Sequence, residues 1–260
     1  MTEAIRDAAA ILWRHWQERT RIDELPAICR PTDRAAGYLT QQEIVALSGQ
    51  PIAGWKIAAT SAAGQKHIGV DGPLAGALLA NRVLPLGTNV PLDGNAMLVA
   101  EAEFAFMFSS DMPARPEPYS QQEVLDAVSS LHPSVEIPDS RYADFARVGA
   151  PQLIADTACS CWFVLGPPTY ADWRSVDLAA HVVRGILNGK DVAIGKGANV
   201  LGDPRIALTW LVNELSTFGD GVRAGQFVTT GTCVIPVAIK RGDNFRADFG
   251  KLGSIDVQLT

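Results

Sequence analysis

Histidine and cysteine are scarce, with four of each among 260 residues. Cys29, Cys159, Cys161 and Cys233 are too few for a disulfide scaffold. Cys159-Ser160-Cys161 also lacks the Cys-x-x-Cys spacing of a redox or zinc motif. Small buried thiols are therefore expected. No run of ~18 apolar residues exists, so no segment is expected to span a membrane. The N-terminus has no basic region followed by an apolar run, so no secretory signal is expected and the cytoplasm is the default. Positive charge is also in the minority: 22 Lys and Arg against 28 Asp and Glu give a net charge of −6. That balance argues against nucleic acid or acidic membranes as partners, and an anionic substrate would need a local cation. With 47% hydrophobic and 19% charged residues the chain is globular, and it shows no repeat, linker or low-complexity segment.

The first fifty residues read as helices. Ile5, Ala8, Ala9, Leu12, Trp13 and Trp16 recur at helical spacing, and Thr40-Gln41-Gln42-Glu43 reads as a capping box opening a helix to about Leu47. Residues 51–260 read as a β-rich catalytic domain, on which the 1–50 segment packs. Ser120-Gln121-Gln122-Glu123 predicts a helix to about Leu131. Asn188-Gly189 predicts a hairpin between Val182–Leu187 and Lys190–Ile194. Asp203-Pro204 predicts a capped helix that buries Ile206, Trp210, Leu211 and Leu215 and stops at Gly219.

Against this background Glu101 and Glu103 stand out, in the run Leu98-Val99-Ala100-Glu101-Ala102-Glu103-Phe104-Ala105-Phe106. On a strand the two carboxylates share a face, while Ala102, Phe104 and Phe106 point the other way into a core. Adjacent like charges on an apolar strand resist desolvation, and a divalent cation would relieve that cost. The pair alone is also compatible with a strand edge carrying two solvated glutamates. A third carboxylate, Glu136, lies in the proline-bracketed segment Pro133–Pro138, which reads as another strand. Three carboxylates from two strands suit Mg²⁺ or Mn²⁺ and leave about half of an octahedral shell open. The absence of histidine or cysteine ligands argues against zinc. The open positions suit a ligand with two oxygens, such as a 2-oxo acid or its enol.

Gly54-Trp55-Lys56-Ile57, Glu101-x-Glu103, Val135-Glu136-Ile137-x-Asp139-Ser140-Arg141, Ile154-Ala155-Asp156, Val164-Leu165-Gly166, Gly202-Asp203-Pro204 and Gly250-x-Leu252-Gly253-Ser254 follow one another in a recognisable order. The set resembles the 2-oxopent-4-enoate hydratase and 4-oxalocrotonate decarboxylase branch of the fumarylacetoacetate hydrolase superfamily, along the whole chain. The resemblance implies an α+β fold with a mixed β-roll core and flanking helices. It implies a homo-oligomer, Mg²⁺ or Mn²⁺ on Glu101, Glu103 and Glu136, and Lys56 near the substrate. A lysine inside Trp-Lys-Ile otherwise reads as a stem lying on the sheet surface. Val70-Asp71-Gly72-Pro73 is followed by Leu74, where many hydratases of this family have an acid. Asp71 is then the nearest acid for proton transfer, or a turn cap, and Leu74 is closer to the decarboxylase pattern. Ser160 and Thr232 stand where the family places substrate-binding hydroxyls.

The implied reaction is that of a lyase acting on a small anionic 2-oxo or 2-hydroxy acid in aromatic catabolism. A 2-hydroxy-2,4-dienoate takes a proton at C5 and water at C4, giving a 4-hydroxy-2-oxo acid. The alternatives are 4-oxalocrotonate-type decarboxylation, carbon–carbon bond hydrolysis using His67 or His132, or a non-catalytic partner subunit. A decarboxylase needs a cation or several donors for a second carboxylate. Arg141 is the nearest in sequence, with Asp139 expected to engage it, and Arg82 is the other arginine. His15 and His181 read as packing or surface residues.

Overall fold

The structure, a computed structural model, describes residues 2–260. The chain opens with α1 (Glu3–Glu18) and α2 (Arg34–Ser48), then β1 (Ile52–Ala58), α3 (Ala62–Ile68), β2 (Leu74–Leu79) and β3 (Val83–Leu84). It continues through β4 (Val99–Phe108), β5 (Met112–Pro113), α4 (Gln121–Asp126), β6 (Val128–Ile137), α5 (Ala150–Ala155) and β7 (Trp162–Leu165). The hairpin β8 (Val182–Leu187) and β9 (Lys190–Lys196) and helix α6 (Pro204–Phe218) follow. The last strands are β10 (Gly221–Val222), β11 (Phe227–Thr232), β12 (Val237–Ala238), β13 (Asn244–Asp248) and β14 (Ser254–Gln258).

The main sheet is mixed, in the order β2-β1-β11-β4-β6-β7-β3, with β12 on the far stretch of β4. β1 runs parallel to β11, and β4 is antiparallel to both β11 and β6. A four-stranded sheet β14-β13-β8-β9 packs beside it. The arrangement is an α+β fold with a mixed-sheet core and flanking helices. Ala102, Phe104 and Phe106 are fully buried in the largest core, together with Leu208, Leu211 and Leu215 of α6. Burying each large side chain of this kind contributes roughly 1.5–3 kcal/mol.

Several expected element boundaries move. α2 begins at Arg34, where the Asp33 side chain accepts from Ala36 N, so Thr40 lies inside the helix and bonds Ala36 O instead of capping. The Ser120–Glu123 capping box does form, but its helix ends at Asp126 because the apolar run from Val128 is drawn into β6. On α6 the buried face is Ala207, Leu208, Leu211, Val212 and Leu215; Ile206 is 49% exposed and Trp210 only half-buried. The Asn188-Gly189 hairpin and the Gly219 stop stand where the turn residues put them. The four cysteines are buried and unpaired. α1 and α2 enclose a separate cluster with Leu79, Tyr142 and Ala155.

Candidate metal centre

Register builds the site. Glu101 is the direct partner of Glu136 across β4 and β6, and Glu103 is opposite both Ser134 of β6 and Thr232 of β11. Partners in register project to the same face, opposite to the Phe104 core. Glu101, Glu103 and Glu136 each offer an oxygen within 4.8 Å of the others. Glu103 and Glu136 are fully buried, and Glu101 is half-buried at the rim.

Lys56, also buried, enters from β1. Its ammonium donates to Ala158 O (2.9 Å) and lies 3.3 Å from Glu136 Oε1. The Ala158 carbonyl comes from a turn in which Thr157, Ala158 and Cys159 all have positive φ (51°, 50° and 65°). That turn approaches β2 so closely that a Cβ on Gly76, the register partner of Lys56, would meet Thr157 O at 2.0 Å. Glycine is required there.

Glu103 is held by hydrogen bonds to Oε2 from the Thr229 hydroxyl and from Gly231 N (3.0 Å). Its Oε1 has no partner, nor does either oxygen of Glu136 find an aligned donor among the described residues. Buried acceptors left in this state cost several kcal/mol unless something binds them. Two full charges 4.8 Å apart repel by about 3.5 kcal/mol at an effective dielectric constant of ~20. Three carboxylates against one ammonium leave two negative charges uncompensated, the charge of one divalent cation. The donor set is all oxygen, as Mg²⁺ and Mn²⁺ prefer. The residues therefore fit a hard divalent metal.

The electrostatics agree. Burial, then repulsion from Glu103, pushes Glu101 up to about 8, and burial, then Glu136, does the same to Glu103. Burial raises Glu136 to about 7 despite the Lys56 charge. Burial alone would lower the Lys56 pKa, but Glu136, Glu101 and Glu103 outweigh it and raise it, so the ammonium stays charged. In the metal-free protein these acids bind protons more tightly folded than unfolded. Their stability contribution is thus present below about pH 4.5 and lost as pH rises towards 8. The expected result is that Mg²⁺ raises the melting temperature of chelator-treated protein more at pH 8 than at pH 6. Calorimetry showing an equal or smaller rise at pH 8 would contradict it.

The remaining site expectations are less centrally placed. Asp71 is exposed in the turn before β2 and makes no hydrogen bond or ion pair among the described residues. Leu74 is fully buried at the start of β2, opposite Ala58. The Ser160 hydroxyl is given to Ala77 O (2.8 Å) and the Thr232 hydroxyl to Val234 O (2.8 Å). Thr229 is the hydroxyl that touches a metal-site carboxylate. Sequence reasoning passed over it, although it lies two residues before Gly231 on a strand. His67 is exposed against Phe145, and His132 is tied to Ser130 and Gly166 O; neither joins the carboxylates. The Asp139 side chain does not engage Arg141 but pairs with Arg21, and Arg141 is bound by Asp156, with hydrogen bonds to the carbonyls of Asp139 and Ser160. The β6 strand ends at Ile137, so the strand-face relation between residues 139 and 141 does not arise.

The sequence matches the family described as fumarylacetoacetate (FAA) hydrolase C-terminal over residues 63–260. It is 32% identical over 235 residues to a 2-keto-4-pentenoate hydratase of Burkholderia vietnamiensis, covering 89% of this chain and 88% of the relative. It is 32% identical over 211 residues to a 4-oxalocrotonate decarboxylase of Pseudomonas putida, covering 81% and 78%. Among solved structures, the 4-oxalocrotonate decarboxylase from Pseudomonas putida G7 complexed with magnesium and adipate superposes with a TM-score of 0.89. That match has 28% identity and covers 100% of this chain and 99% of the other.

Proposed function

This chain belongs to the fumarylacetoacetate hydrolase family, and from that premise we propose that it is a lyase, a divalent-metal-dependent hydratase of short 2-hydroxy-2,4-dienoates. The observation that carries the reading is the net-negative trio of half-buried Glu101 and buried Glu103 and Glu136 beside the Lys56 ammonium. Mg²⁺ or Mn²⁺ held by the three carboxylates would supply Lewis acidity, stabilising negative charge that develops on a substrate oxygen. Glu103 presents Oε1 because Thr229 and Gly231 fix Oε2. Lys56, itself buried, holds a proton at Nζ beside the carboxylates, poised as a proton carrier or as a fixed countercharge. The substrate gains a proton at C5 and water at C4, so the product is the 4-hydroxy-2-oxo acid. Asp71, Leu74, Ser160 and Thr232 retain secondary roles, Asp71 in proton transfer and the others around the substrate.

Decarboxylation is the second reading, supported by Leu74 and by the decarboxylase relatives. A diacid substrate needs a cation or several donors for its far carboxylate. Arg141 is already bound by Asp156. Arg82 stacks on Trp162, which precedes Phe163, the register partner of Glu136, and so leaves the sheet on the opposite face from the carboxylates. Both observations favour a monocarboxylate and hydration. The test offers the protein 2-hydroxypenta-2,4-dienoate and 2-oxohex-3-enedioate separately with Mg²⁺. Loss of dienoate absorbance from the monoacid is expected. Carbon dioxide from the diacid, with the monoacid untouched, would make the decarboxylase reading the right one.

The same reading makes the protein a cytoplasmic homo-oligomer in aromatic catabolism, with residues 51–260 catalytic and residues 1–50 packed on them. No helix among the described residues is long and apolar enough to cross a membrane.

A further inference from the structure

A cavity of about 170 Å³ lies between the end of α1, the 3₁₀ turn Ala80–Arg82 and the start of β7, and none of the metal-site carboxylates lines it. Its walls include Trp16 and Trp162, and the Arg82 guanidinium is stacked on both, 4.5 Å from the Trp162 centroid and 5.3 Å from that of Trp16. Stacking occupies the faces of a guanidinium and leaves its N–H edges in plane, the geometry that receives a carboxylate as a fork. Arg82 has no carboxylate partner and no hydrogen bond among the described residues; the charges beside it are the guanidiniums of Arg141 and Arg19.

The other cations there sharpen the imbalance. Arg141, over the Trp16 ring at 4.1 Å, is neutralised by Asp156. Arg21 is paired with Asp139, yet its Nε is buried with no acceptor. Asp93 at the mouth is directed to Arg241 (3.5 Å). Among the described residues Arg82 and Arg19 are left without an acid, in a protein whose net charge is −6. An unpaired, half-buried cation against indole walls is stabilised by an anion that also brings an apolar surface. A cavity of ~150 Å³ is enough to hold a benzene ring.

We propose that this cavity is a second ligand site, separate from the metal centre, that takes a small carboxylic acid with a flat apolar body. The carboxylate pairs with Arg82, and the body lies against Trp16 and Trp162.

The test titrates benzoate into the full-length protein in the presence of a chelator, following tryptophan fluorescence and heat. Saturable binding is expected. Arg82→Gln should weaken it about tenfold or more, the usual loss when a charged hydrogen-bonded pair is removed. Arg82→Lys should retain part of it, and Glu103→Gln should leave it within about twofold, because the two sites are separate. Inorganic phosphate, which has charge but no apolar body, should bind more weakly than benzoate. A crystal soaked with 4-bromobenzoate should show the bromine signal in the cavity, a readout independent of how well the variants fold. Absence of saturable benzoate binding would overturn the proposal. So would phosphate binding as tight as benzoate, equal weakening by Glu103→Gln and Arg82→Gln, or bromine at the carboxylate trio.

Discussion

Glu136→Gln is expected to reduce turnover by about a thousandfold or more while leaving the protein folded. A Lewis acid contributes several kcal/mol to stabilising developing charge, and each ~1.4 kcal/mol is a factor of ten in rate. The substitution keeps the shape of the side chain and removes one of the three charges that fit a divalent cation. It also removes a buried charge that repels Glu101 and Glu103, so the chelator-treated variant should melt no lower than the chelator-treated parent. The two readouts move in opposite senses, which separates a lost metal ligand from a damaged core. Mg²⁺ binding followed by calorimetry supplies the direct check. A variant that binds Mg²⁺ as tightly as the parent, and turns over at the same rate, would remove Glu136 from the metal centre.

The second large effect belongs to Lys56. Lys56→Ala should lower turnover by roughly 10²–10⁴-fold, the range for a positioned acid or base. Its consequence for the metal differs from that of Glu136→Gln. Removing the ammonium deletes a positive charge beside the trio and makes the site more negative, so Mg²⁺ affinity should be retained or rise. The metal-free variant should be less stable at pH 8 than the parent, because Glu136 loses the countercharge that holds its pKa down. Lys56→Met, which keeps the length of the side chain, distinguishes loss of charge from loss of packing. Unchanged turnover in both variants would reduce Lys56 to a structural residue.

The carboxylate trio was legible in the sequence because its determinants are local and periodic. Two carboxylates at i and i+2 on an apolar strand announce a shared face, and a third on a proline-bracketed strand offers a partner. The register that sets Glu136 opposite Glu101 was not legible, since it depends on pairing between distant segments. Thr229 was missed for the same reason: nothing within its own strand says that the Glu103 carboxylate reaches its hydroxyl from the neighbouring strand. Arg141 was misassigned because the strand was assumed to continue past Ile137, while Asp156 reaches it from the segment after α5. Helix boundaries failed where two start signals competed. Thr40 carries a capping-box pattern, but Asp33 caps seven residues earlier and the intervening residues favour helix. The burial of Ile206 was predicted from hydrophobicity, and the helix instead turned its alanine and leucine face inward.

The strand order has a consequence for the protein while it is being made. β11 lies between β1 and β4, so Lys56 and the glutamates sit on strands that a late segment separates and joins. A nascent chain that has emerged as far as residue 137 can already pair β4 with β6 and bring Glu101 opposite Glu136. Its lysine cannot take its native place until residues 227–232 have left the ribosome and slotted in between. Thr229 and Gly231, which fix Glu103, arrive in the same stretch. The acidic half of the centre can thus pair before its lysine, though translated earlier, takes its place and before its clamp exists, and the finished carboxylate–lysine cluster belongs only to a chain that has been synthesised almost to its end.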